Sequence, residues 1–299
     1  MDSQNPRAGP ATAAILVALP MVAILAAVVH GATGADPALW AHLTEHVLAR
    51  VTVNTAILVV GVVAIAVALG TSLAWLTAAC EFPGRGFFSW ALLLPMAMPA
   101  YVLAFVAVAT LDYAGAVPVA LRAFFGEGFA MPPIRSASGV IAVLGLASYP
   151  YVYLMARGAF LTHGARVLEA AQSLGFGPWS GLFRVAVPLA RPWLAGGAAL
   201  VAMETLADFG AVSVFNYDTF TTAIYKAWYG LFSIETALGL ALLLLAFVAV
   251  ALAAERVARG RARYTAADAG LRAPARLALP GARGWAAFAY ASLVFALGF

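Results

Sequence analysis

The chain has 299 residues, of which 64% are hydrophobic and 10% charged, with a net charge of +4 and a mean hydropathy of +0.93. A soluble domain carries about 25% charged residues, so this composition excludes a water-soluble fold and requires lipid as the main solvent. One cysteine, Cys80, excludes a disulfide framework and a cysteine-based metal site.

Taken in chain order, the apolar runs predict membrane-crossing helices at 11–30, 52–78, 87–111, 137–156, 193–215 and 235–254. A seventh begins at Trp285 and is still apolar at Phe299. The run Ala11–Val29 exceeds the apolar core of a secretory signal and reads as an anchor. The predicted fold class is all-α, a polytopic transmembrane helical bundle whose plentiful Ala and Gly allow close helix packing.

Lys and Arg favour the cytoplasmic side. With the N-terminus in the cytoplasm, thirteen of the seventeen fall on that side, and only Arg50, Arg122, Arg135 and Lys226 lie outside. The expected location is the inner (plasma) membrane, multi-pass. The expected organisation is a six-span domain at 1–254, a basic cytoplasmic linker at 255–283 and the start of a seventh span at 284–299. The linker is rich in Arg, Ala, Gly and Pro; it fits anionic headgroups and calls for no nucleic acid.

The cytoplasmic stretch 158–192 is amphipathic and broken by Gly175, Gly177 and Pro178. Val167, Leu168, Ala171 and Leu174 recur at helical spacing up to Gly175, which suits a helix end. Pro188 and Pro192 punctuate the approach to the next span. Helix, turn, helix between two spans is the predicted geometry. The small Ala170 and Ala171 allow another surface to approach closely, and Glu169 can cap amides or meet a basic partner.

Glu169-Ala170-Ala171, then Gly175, then Val185-Ala186-Val187-Pro188 reproduces the spacing of the EAA loop. The chain thereby resembles the permeases of binding-protein-dependent ABC importers. Val185 and Val187 stand where that family most often has isoleucine and leucine. The resemblance implies that the loop is a coupling helix lying in a groove of the ATP-binding subunit. It also implies the partners: an ATP-binding cassette dimer that holds ATP and Mg, a periplasmic or extracellular solute-binding protein, and membrane lipid. This chain itself would then need no cofactor.

The segment from Leu94 to Ala104 resembles the third-span motif of ferric-iron importer permeases. So do Glu204-Thr205-Leu206-Ala207-Asp208-Phe209-Gly210 and Asp218-Thr219-Phe220-Thr221-Thr222. Permeases of that family have two homologous halves, so the resemblance implies a first half plus the opening of a second, ending at Phe299. Ferric iron is the solute implied; thiamine, a polyamine or an inorganic anion would suit the same architecture. An unrelated secondary transporter would lack the EAA spacing.

Glu204 and Asp208, four residues apart, are predicted to share one face of a span. Carboxylates at that depth are costly and usually face a cavity or a partner. They either line the translocation path, where oxygen ligands suit a hard cation, or fix helix packing through Lys226 or Asn54. Pro95, Pro99 and Pro150 are expected to kink their spans. Tyr149, Tyr151 and Tyr153 read as packing residues, and Met96 and Met98 as gap fillers. His42 and His46 lack a third ligand, so no metal site is expected. No G-x-x-x-x-G-K-[ST] loop and no catalytic constellation occurs in the sequence, so the chain is not expected to be an enzyme.

Overall fold

A computed structural model describes residues 8–173, 182–259 and 276–299, with the backbone alone for 8–15, 17, 163–173, 182, 185, 254–255 and 257–259. The helices in chain order are α1 (Ala8–Ala32), α2 (Pro37–His46), α3 (Leu48–Ala79), α4 (Arg85–Ala91), α5 (Ala100–Leu111) and α6 (Ala116–Phe125). They continue as α7 (Ala137–Ser173), α8 (Val187–Ala207), α9 (Gly210–Val214), α10 (Phe220–Tyr225), α11 (Ile234–Arg259) and α12 (Ala282–Gly298). The fold is an all-α membrane bundle. Four helical stretches among the described residues are long and apolar enough to cross a membrane: Leu48–Ala79, Ala100–Phe125, Ala137–Thr162 and Ile234–Ala253. A fifth is counted if Ala18–Ala32 and Pro37–His46, bent by 96°, are one span.

The chain divides into two compact units. The first holds residues up to Thr52 and Thr219–Phe247. Asp36 caps α2 by accepting from the Ala38 amide at 2.9 Å, and Pro37 occupies the first turn, where its missing N–H costs nothing. Thr219 and Thr222 cap α10 reciprocally, the Thr219 amide donating to Thr222 Oγ1 at 2.8 Å. Leu43, Val51, Phe220, Ala237 and Leu240 form the core of this unit, with Trp40 and Phe247 packed on it.

The second unit holds Val53–Asp218 and Val248–Phe299. Its centre is the packing of α7 against α3 and α8. A Cβ on Gly70 of α3 would stand 2.7 Å from Val152 Cβ, 2.8 Å from the Tyr153 amide nitrogen and 2.9 Å from the Tyr149 carbonyl oxygen. A Cβ on Gly197 of α8 would stand 3.0 Å from Val152 Cα. Missing side chains therefore let both helices touch the α7 backbone around Val152. Leu73, Leu92, Val152, Tyr153, Val201 and Val212 are buried there. Two hydroxyl contacts tie this core across helices. Tyr153 donates to the Ser89 carbonyl at 3.0 Å, and Ser72 Oγ lies 2.7 Å from the Tyr290 hydroxyl of α12.

Three departures from the expected elements have local causes. The run 87–111 is interrupted: α4 ends at Ala91, a 3-10 turn covers Leu94–Ala97, Met98 is extended, and α5 begins at Ala100. Pro95 and Pro99 lack amide donors, and a proline disfavours helix in the residue before it. The run 193–215 is also interrupted, because α8 ends at Ala207 and Asp208 is extended (φ −67°, ψ 126°). The run 137–156 extends as α7 to Ser173, 37 residues in all, with Pro150 inside it. In addition, Cys80–Glu81 pairs with Leu277–Ala278 as a two-residue parallel ladder, and Glu81 meets Arg85 at 3.2 Å and Arg276 at 3.7 Å.

Candidate functional site

Glu169, Ala170 and Ala171 lie on the last turns of α7, as a direct continuation of the helix that crosses the membrane at Ala137–Thr162. At 1.5 Å per residue, α7 is roughly 55 Å long. Gly175 and the helix expected near Pro178 lie outside the described residues, as does most of the basic linker. A π-helical turn at Leu182–Ala186 leads without a gap into α8, and Pro188 occupies the first turn of α8. Ala190, Leu194, Gly197 and Val201 are the buried stripe of α8. The two arms of the 158–192 loop thus enter one helix pair, α7 and α8, which pack together directly.

Glu204 and Asp208 lie within electrostatic reach of each other but in different surroundings. Glu204 stays on α8 with its side chain exposed, beside Tyr151 of α7 within electrostatic reach. Asp208 has left the helix. Its Oδ1 accepts from the Val212 amide at 3.0 Å, which caps the short helix α9. Asn54 serves neither carboxylate, since its amide donates to the Asp218 carbonyl at 3.0 Å.

The opposite flank of α8 is apolar between Ala198 and Leu206. Ala198, Ala202 and Leu206 of α8 line an apolar cleft of about 610 Å³ with Val63 and Val67 of α3 and Ala251 of α11.

Sequence reasoning missed that the two helix interruptions meet. Gly210, which opens α9 after the break at Asp208, packs on Tyr101, which follows the break at Pro99; a Cβ on Gly210 would stand 2.7 Å from Tyr101 Cβ. The signal was Pro99 and Gly210 themselves, each read singly. A second tie holds the far end of α9. Arg135 donates to the Val214 carbonyl at 2.8 Å and to Asp112 Oδ2 at 2.9 Å. The arrangement places a solvated or lipid-facing carboxylate, Glu204, one turn before a capped break in the helix ladder.

The profile of one family, described as binding-protein-dependent transport system inner membrane component, matches residues 70–259. The Fe(3+)-transport system permease protein FbpB 2 of Haemophilus influenzae is 29% identical over 214 residues, covering 72% of this chain and 38% of that relative. The chain therefore spans well under half the length of that relative. The molybdenum transport system permease protein ModB of Escherichia coli is 29% identical over 164 residues, 54% of this chain and 70% of that one. Among solved structures, a bacterial alginate ABC transporter, crystallised with a periplasmic protein bound to an alginate pentasaccharide, aligns with a TM-score of 0.64 at 15% identity. That alignment covers 84% of this chain and 92% of the transporter chain, a likeness of fold.

Proposed function

The chain belongs to the family of binding-protein-dependent transport system inner membrane components, and from that premise we propose that it is the permease subunit of an ABC importer. In this reading it spans the inner membrane with its N-terminus in the cytoplasm and receives solute from an external binding protein. A partner ATPase dimer, holding ATP and Mg, drives translocation. The observation that carries the reading is the position of the E-A-A motif on the last turns of α7. A push at Glu169 is joined to the packed centre of the bundle by one uninterrupted backbone ladder.

The solute we propose is ferric iron. Support comes from the segments at 94–104, 204–210 and 218–222 and from the similarity to FbpB 2 over 72% of this chain. Glu204 is proposed to line the path, where its carboxylate gives a passing cation a weak oxygen ligand. An oxyanion is the second reading, favoured by the similarity to ModB; Glu204 would repel it. The test is uptake into proteoliposomes holding the permease, its ATPase and its binding protein. ATP-dependent uptake of iron is expected. Uptake of molybdate without iron would replace the solute, and no ATP-dependent uptake by a complex with active ATPase would sink the permease reading.

A further inference from the structure

Between α10 and α11 the first unit exposes a cluster of aromatic side chains. A π-helical turn at Lys226–Gly230 sets Trp228 against Tyr229, with ring centroids 4.8 Å apart and planes 25° from parallel. Tyr225 lies 4.8 Å from Tyr229 on the other side. All three rings are about half exposed, and Lys226 between them is exposed too.

Phe232 follows, and it is placed against the usual preferences. Its φ of 54° puts it in the left-handed region, which glycine normally fills after a helical turn and which a bulky side chain disfavours. The geometry is held from both sides: the Ser233 amide donates to the Ala227 carbonyl at 3.1 Å, and Ser233 Oγ caps α11 by accepting from the Thr236 amide at 3.3 Å. The residue before such a cap commonly folds its apolar side chain back onto the fourth residue of the helix, here the buried Ala237. Phe232 does not, and is 89% exposed. A ring that strains its backbone and finds no cover within its unit is placed for something outside it.

The neighbouring residues say what that is. Ile234, two positions on and exposed, opens the apolar span Ile234–Ala253, most of whose surface is unburied. The aromatic cluster is therefore continuous with the exposed apolar surface of that span and sits at its end. Rings with polar tips beside a lysine, at the end of a span, have the composition of a membrane interface.

We propose that residues 225–232 anchor the α10–α11 junction in the interfacial layer of the bilayer, with the Phe232 ring immersed in lipid. The anchor is independent of the solute carried. It gives the strained position a purpose: a glycine there would relax the backbone and lose the contact.

The test uses the full chain in nanodiscs of phosphatidylcholine and phosphatidylglycerol, where the only native thiol, Cys80, is buried. Nitroxide labels are placed at Phe232→Cys and, as a polar control on α2, at Glu45→Cys. Collisions with oxygen should dominate at 232, and collisions with a water-soluble nickel chelate should dominate at 45. Nickel access at 232 equal to that at 45 would overturn the anchor. So would nickel access at 232 that disappears only when the solute-binding protein is added, which would make the loop a protein-docking surface. As a second measurement, Phe232→Gly should raise Tm in detergent, where no bilayer rewards the ring, and should shift a label at Tyr229→Cys toward water in nanodiscs. A lower Tm in detergent would mean that the ring packs within the protein, and the proposal would fail.

Discussion

The hydroxyl of Tyr153 lies 3.1 Å from Oγ1 of Thr77, with both side chains buried between α7 and α3. Thr77 also donates to the Leu73 carbonyl of its own helix, and Tyr153 reaches on to the Ser89 carbonyl of α4. One phenol thus holds three helices together. Tyr153→Phe keeps the ring and removes the hydroxyl, leaving the Ser89 carbonyl without this donor. A loss of about 1–2 kcal/mol is expected, read as a lower Tm of the purified protein; an unchanged Tm would show that water replaces the phenol.

Gly70 tests the tightest crossing. Gly70→Ala adds a methyl where the backbones of Tyr149 and Tyr153 already stand within van der Waals distance. Overpacking of this kind costs roughly 1–3 kcal/mol, so Gly70→Ala should fall in yield of monodisperse protein. Gly158→Ala, in open space on α7, is the control and should be neutral. Equal behaviour of the two variants would contradict the packing described.

Cys80 should be inert. It is 2% exposed, and burial pushes its thiol up to about 11, so almost no thiolate exists at neutral pH. Maleimide should label the folded protein slowly at pH 7.5 and completely after denaturation. Fast labelling of the native chain would mean that the Cys80–Glu81 ladder opens readily.

The two acidic residues near the break should separate. Glu204→Gln is expected to leave Tm unchanged, because the side chain is exposed and no hydrogen bond among the described residues ties it, while iron uptake falls. Asp208→Ala removes the cap on α9 and should cost about 1 kcal/mol; Asp208→Asn keeps an acceptor oxygen and should recover most of that. Lost stability in Glu204→Gln would move it from the path to the packing.

Coupling is tested at the end of α7. The double variant Glu169→Ala, Gly175→Leu should keep the bundle inserted and monodisperse while ATP-driven uptake is lost. Uptake at the normal rate, at normal expression, would remove the coupling role from this motif.

The long spans were legible because a helix in lipid must be apolar for about 20 residues, and α3 and α11 satisfy that without interruption. The extent of α7 was not. Its apolar run stops near Ala156 where water begins, but the hydrogen-bond ladder is indifferent to solvent and continues to Ser173. Pro150 is carried inside α7, whereas Pro95 and Pro99, four residues apart, interrupt their helix together. Glu204 could be found from its cost alone. The role of Asp208 could not, because a cap depends on where the helix stops, and nothing in the apolar run marks Ala207 as the end. The Cys80–Glu81 pairing with Leu277–Ala278 is two residues long on each side and leaves no pattern to read.

A rigid rod touched near its middle converts a small rotation into a large excursion at its end. The point of contact is Val152, where Gly70 and Gly197 bring neighbouring backbones against α7. Glu169 lies seventeen residues farther along, about 25 Å at 1.5 Å per residue. A tilt of roughly 10° about that fulcrum would carry the Glu169 end through about 4 Å, with the helix itself unbent. Glycine at 70 and at 197 then has a mechanical meaning beyond close packing: it sets backbone against backbone at the fulcrum of that lever.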